Sequence, residues 1–240
     1  AMEDLNTASN YGFSATKIDD LGASQYTLVT IAVDVSSSVG GFEGELERCL
    51  KQILESCQKS PMSENLMLRL VSFNHDVEEI HGFKMLSAVN DSDYTDILHP
   101  HGGTALYDAT YTSIDAVKSY GAILFAQEYL ANGIVFVVTD GDNTSGTRTS
   151  NGVGTLIKAV QRDETSLDSL CVVLIGINTD DTYIRDCLTQ FQTEAGIDKY
   201  INAGDATPSQ LAKLADWISQ SISSTSQALG TGRPSSLLAF

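Results

Sequence analysis

The feature that most constrains this chain is a repeated pairing of two kinds of segment. Short runs that are apolar at almost every position alternate with longer stretches whose apolar residues recur at helical spacing. LVTIAVD (28–34), LMLRLVSFN (66–74), GIVFVVTD (133–140) and LCVVLIGI (170–177) are the short runs. A strand that is apolar on both faces must be covered on both, which antiparallel sheets with one wet face do not provide. Between the runs, Phe42, Leu46, Cys49, Leu50, Ile53 and Cys57 fall on one helical face, as do Leu106, Ala109, Ile114 and Val117. Further helices are predicted near 154–163, over 182–196 and near 208–222, the last opened by the capping sequence Thr207-Pro208-Ser209-Gln210. Gly121 is expected to end or bend the second helix. The polar interval Asn74–Asp76 predicts a tight reversal into an antiparallel strand, VEEIHGF, and KYINA reads as a short last strand.

The pattern defines an α/β fold class: a doubly wound, mostly parallel sheet with one antiparallel edge strand and helices on both faces. The 240 residues suffice for one such domain with short tails. We expect an N-terminal extension at 1–25 in which YGFSATKI adds an edge strand, a core domain at 26–223, and a flexible, Ser/Gly-rich tail at 224–240.

Charge then narrows the partners. Fourteen basic against thirty-one acidic residues give a formal charge of −17, which repels phosphate backbones and anionic lipid, so neither nucleic acid nor a membrane surface is an expected partner. Cys49, Cys57, Cys171 and Cys187 lack metal-ligand spacing and read as reduced thiols. With no secretion signal and no apolar run near membrane-spanning length, the cytoplasm is the expected compartment.

In a sheet of this kind, loops leaving the carboxyl ends of the strands meet on one rim, where ligands bind. There the sequence gathers oxygen. Asp34, Ser36 and Ser38 alternate in VDVSSSV, so they can turn to one side of an extended segment, and Gly40-Gly41 let the chain swing into the next helix. Asp140 ends another strand, and Thr104, in GGT, opens a helix whose preceding loop can reach the same place. Two carboxylates balance one divalent ion and three hydroxyls complete a hard-oxygen shell, which selects Mg²⁺, Mn²⁺ or Ca²⁺ over thiophilic metals. A metal-dependent phosphohydrolase is the competing reading, with Asp34 as nucleophile. It is weakened because Ser36 stands where haloacid-dehalogenase-type enzymes need a second acid. There is no phosphate loop, nucleophile elbow or dinucleotide fingerprint. A third reading is a structural module whose metal only stabilises the fold.

Asp34-x-Ser36-x-Ser38, GGT with Thr104, and TDG with Asp140, in that order and each after its strand, resemble the metal-ion-dependent adhesion site (MIDAS) of von Willebrand factor A domains. The resemblance spans roughly residues 26–222. The run GGTALYDA looks most like bacterial cytosolic members, such as those of tellurite-resistance loci. It implies a divalent-cation-dependent protein-binding module, not an enzyme. In that reading Asp34, Ser36, Ser38, Thr104 and Asp140 hold the ion directly or through water, and a partner's Glu or Asp takes the remaining coordination position. Gly103, His101 and Asp142 are expected at the rim of the site. The resemblance also implies that the last helix can move with the ligation of Thr104.

Plainer roles exist for several of these residues. Ser36 and Ser38 can cap a helix, Asp142 and Asn143 suit a turn, and Asp108 offsets a helix dipole. His99-Pro-His101 lacks a third ligand for zinc, and Trp217 reads as a packing residue. Asn90-Asp-Ser and Asn143-Thr-Ser match glycosylation acceptors only in a secreted chain.

Overall fold

A computed structural model describes residues 1–7, 12–231 and 237–240. Eight strands form one sheet in the order β1-β2-β5-β4-β3-β6-β7-β8. They are β1 (Met2–Asn6), β2 (Gly12–Thr16), β3 (Gln25–Asp34), β4 (Leu66–Phe73), β5 (Val77–Met85), β6 (Leu130–Thr139), β7 (Leu170–Gly176) and β8 (Lys199–Asn202). The helices are α1 (Glu43–Gln58), α2 (Leu106–Ala126), α3 (Ser150–Arg162), α4 (Thr182–Ala195) and α5 (Pro208–Thr231). From β4 to β8 all neighbours are parallel, whereas β5 runs antiparallel to β4. The predicted doubly wound α/β class is therefore observed.

The central strands fulfil the requirement that both faces be covered. Odd-numbered residues of β3, Val29, Ile31 and Val33, join a core with α1 and α5. The even-numbered Leu28 and Ala32 join a second core with α2, α3 and α4. Burying one such side chain contributes about 1.5–3 kcal/mol, so the double coverage of β3 and β6 dominates the stability of the sheet.

Three elements depart from expectation. The predicted antiparallel strand is present, but it is not the outermost one, because β1 and β2 form an antiparallel hairpin that extends the sheet beyond β5. A close backbone approach makes this possible. A Cβ at Gly82 would lie 1.8 Å from the carbonyl oxygen of Ser14, so only glycine admits β2 there. Beside it, the buried Arg69 donates to Glu79 at 2.7 Å, and Glu79 also accepts from the amide and hydroxyl of Ser14 at 2.8 and 2.7 Å. Gly121 does not end α2, which runs on to Ala126. A Cβ there would meet Leu167 Cδ2 at 2.5 Å, so the glycine allows the 166–167 loop to lie against a continuous helix.

The last helix runs to Thr231, well past residue 222, with Ala228 and Leu229 buried. Of the predicted tail, residues 232–236 lie outside the described residues. Leu237 and Leu238 pack against the α1/α5 core, and the Leu238 carbonyl accepts from Lys199 Nζ and from Trp217 Nε1. The Phe240 ring meets Trp217 edge to face at 5.8 Å. Trp217 is the single tryptophan of the chain and reports this docking directly. Leu238→Asp combined with Phe240→Ala should shift its fluorescence to the red and raise acrylamide quenching, whereas unchanged emission would show that residues 237–240 do not rest on α5.

Candidate metal centre

The parallel registers of β3, β4 and β6 bring the carboxyl ends of these strands level, with Val33 opposite Val138 and Asp34 opposite Phe73. Asp34 therefore emerges one residue away from the Thr139-Asp140 end of its neighbour. After Asp34 the chain forms a short 3-10 turn at Ser37–Val39 before α1. The turn folds Ser36 and Ser38 back toward Asp140. Ser38 Oγ donates to Asp140 Oδ1 at 2.8 Å and lies 3.1 Å from Ser36 Oγ. Asp34 accepts from the Ser36 amide at 2.7 Å and from the Thr139 hydroxyl at 2.6 Å.

The loop carrying Thr104 is stitched to both others. Ser37 N donates to the Gly102 carbonyl at 3.1 Å and His101 N to that of Val35 at 2.9 Å. Thr144 N and Ser145 N donate to the Thr104 carbonyl, while Thr104 N donates to Thr144 Oγ1 at 2.9 Å. A Cβ built on Gly141 would lie 3.9 Å from Thr104 Oγ1, which places that hydroxyl beside the Asp140 loop. The structure thus brings Asp34, Ser36, Ser38, Thr104 and Asp140 to one place, and all except Ser38 are buried.

Electrostatically this is an unusual place to leave two acids. Burial raises the Asp34 carboxyl to about 6, hydrogen bonds from Thr139 and Ser36 oppose the rise, and the nearby Asp140 adds to it. Burial also raises Asp140, against the hydrogen bond from Ser38. Among the described residues no lysine, arginine or histidine forms an ion pair with either. Two desolvated carboxylates without a cation are costly, and a divalent ion is the group whose charge and oxygen preference fit the donors.

The rim residues have definite positions. Gly103 is required by close packing, since a Cβ there would meet Ser145 Oγ at 2.5 Å and Thr144 Oγ1 at 2.9 Å. His101 places Nδ1 2.8 Å from the His99 carbonyl, so Nδ1 donates and Nε2 accepts from Asn74 Nδ2 at 3.0 Å. Asp142 accepts from Asn143 N at 2.6 Å and from the Tyr183 hydroxyl at 3.4 Å. Among the described residues no three His, Cys, Asp or Glu side chains form a metal-binding group.

Sequence reasoning missed the clamps between loops. Asn143 Oδ1 accepts from Tyr107 N at 3.1 Å, supplying the N-terminal turn of α2 with an acceptor that its own N-cap residue, Ala105, does not provide. Asp108 does more than offset a dipole. Its carboxylate accepts from Thr147 N, Arg148 N and the Thr147 hydroxyl at 2.9, 3.0 and 3.1 Å, and so fixes the loop that follows Asp140. Gly146, at φ +94°, passes so close that a Cβ would lie 2.1 Å from Asp108 Oδ2. The only signal in the sequence was the density of Asp, Asn, Thr and Ser in TDGDNTS.

Comparison with known proteins places the fold. No family model matches the chain, and no curated protein matches it. Solved structures do. The PilB minor pilin of Streptococcus sanguinis is similar with a TM-score of 0.57 at 16% identity over 94% of this chain and 67% of the pilin. The pilus adhesin SpaC of Lactobacillus rhamnosus GG gives 0.58 at 12% identity over 83% of this chain and 30% of the adhesin. Proximal thread matrix protein 1 of the mussel byssus, solved with zinc in its MIDAS motif, gives 0.52 at 17% identity over 82% of this chain and 45% of that protein. This chain spans about two thirds of the pilin and less than half of the other two. At these identities the likeness establishes the fold, a doubly wound α/β sheet of von Willebrand A type.

Proposed function

We propose that Asp34, Ser36, Ser38, Thr104 and Asp140 form a metal-ion-dependent adhesion site and that residues 26–223 act as a divalent-cation-dependent protein-binding module. The observation that carries this reading is the buried Asp34/Asp140 pair, bridged by serine hydroxyls and lacking a basic partner among the described residues. A bound Mg²⁺, Mn²⁺ or Ca²⁺ supplies positive charge and an exchangeable coordination position, and a Glu or Asp of a partner protein is the donor that suits it. The zinc in the byssus protein makes Zn²⁺ worth including in the titrations, although an all-oxygen donor set favours harder ions.

The role is adaptor rather than enzyme. A phosphohydrolase would need Asp34 free to attack, whereas both of its oxygens accept hydrogen bonds and the side chain is buried. The pilin and adhesin likenesses support a binding role for this fold. We place the protein in a reducing compartment, the cytoplasm. Its four cysteines are free, and burial holds Cys49, Cys57 and Cys171 at about 12, where they are unreactive. The pilus and byssus proteins give no support for that placement. Among the described residues no helix is long and apolar enough to cross a membrane. GGTALYDA supports the bacterial, tellurite-resistance-type subclass within the same reading.

The test is a pull-down in MgCl₂, in EDTA, and with Asp34→Ala. Partners held only by the wild type in Mg²⁺ are the expected outcome. Partners held equally in all three conditions would leave the ion a structural role only.

A further inference from the structure

A pocket of about 170 Å³ lies against the loops that carry the metal site, and nothing in the metal-site reading uses it. It shares Val35 and His101 with the loops that carry the site, and its remaining walls come from the β4–β5 turn and the segment around Ile97. The lining is divided. Val35 and Phe73 are buried and Ile97 is half-buried, and the buried Ser72 and Asn74 add polar wall between them and the mouth. His75, Asp76 and Glu78 are exposed and stand at its mouth. Glu78 is held there by the register of the antiparallel pair, opposite Ser72.

A small pocket that offers Val35, Phe73 and Ile97 to a methylene stem and the Asp76 and Glu78 carboxylates to a cationic head suits a long basic side chain. No lysine or arginine lines the pocket; of its histidines, His75 places Nε2 3.4 Å from Asp76 Oδ2 at the same mouth. In the neighbouring 140–149 loop, Arg148 lies over the Tyr111 ring at 4.0 Å. The charge of the whole molecule points the same way. At −17, the protein repels an acidic partner at long range even when the ion attracts one carboxylate at short range. A ligand acid therefore arrives best when basic residues escort it.

We infer that this pocket is a second recognition subsite that takes a Lys or Arg side chain of the same partner segment whose Glu or Asp reaches the metal. The inference rests on the metal-site reading and names the partner's chemistry: an isolated acid within a basic stretch, not an acidic tail.

The experiment uses the full chain and immobilised dodecapeptides with one central Glu, flanked by Lys, by Ser or by Asp. Binding is read in MgCl₂ and in EDTA for the wild type, for Asp34→Ala, for Asp76→Asn with Glu78→Gln, and for Asp168→Asn as a remote charge control. In Mg²⁺ the wild type should hold Lys-flanked peptides roughly five-fold better than Ser-flanked ones, the scale of one or two exposed charge pairs. The double variant should lose that preference yet hold Ser-flanked peptides as the wild type does, and Asp168→Asn should change nothing. Mg²⁺-dependent capture with no Lys preference, or with one that the double variant keeps, would overturn the inference alone. Capture that ignores both EDTA and Asp34→Ala would overturn the metal-site reading and this inference with it.

Discussion

Asp34→Asn should make the metal-free protein more stable at pH 7.5 while abolishing its response to Mg²⁺. The Asp34 carboxyl is raised from 3.8 to about 6 in the folded chain, chiefly by burial. The folded state thus holds this proton more tightly than the unfolded state does. Below pH 4 both states are protonated and Asp34 imposes no penalty. Between about pH 4 and 6 the unfolded chain ionises first and stability falls. Above 6 the penalty is complete, about 3 kcal/mol at 1.36 kcal/mol per pH unit. An asparagine removes the charge and can still accept from the Ser36 amide, so in EDTA the variant should melt roughly 5–10 °C above the wild type. Adding MgCl₂ should raise the wild-type melting temperature and leave the variant where it is. A variant that melts lower than the wild type in EDTA would show that the carboxylate is not under electrostatic strain.

Asp108→Ala should weaken metal binding by about 10- to 100-fold although Asp108 is not among the five donors, which is the usual cost of removing a group that orients the donors. Its carboxylate is the common acceptor for Thr147 N, Arg148 N and Thr147 Oγ1, and the variant leaves those donors unpaired beneath the loop that begins at Asp140. The change should appear in calorimetric titration as weaker affinity with one site retained, and in hydrogen exchange as faster labelling of residues 141–148. Asp168→Asn, which changes an exposed acid remote from the site, is the control. If Asp108→Ala binds metal like the control, the clamp does not position Asp140.

Asp34 and Asp140 were legible because an acid at the end of a both-faces-apolar strand has no structural excuse, and the parallel topology brings such ends together. Ser36 and Ser38 followed from their alternation, and Thr104 from the glycines before it. The clamps were illegible because each joins segments far apart in the chain. Asp108 to Thr147 and Asn143 to Tyr107 join the first turn of α2 to the 141–148 loop, and Thr139 to Asp34 joins two strand ends, none of them marked by a local sequence pattern. The β1 strand was hidden for a different reason. MEDLN is short, has no fully buried residue, and pairs only with β2, so no alternating burial pattern marks it. Gly121 misled because glycine in a helix usually signals an end, whereas here it makes room for Leu167. The extent of α5 was obscured by a serine-rich stretch in which Ser221, Thr225 and Ser226 are nonetheless buried.

The most direct measurement is calorimetric titration of the metal-stripped protein with MgCl₂ and MnCl₂, beside Asp34→Ala and Asp140→Ala. The expected result is one ion per chain for the wild type and no saturable binding for either variant. Saturable binding that survives both substitutions, or a wild type that binds neither ion, would contradict the assignment of these five oxygens to a cation.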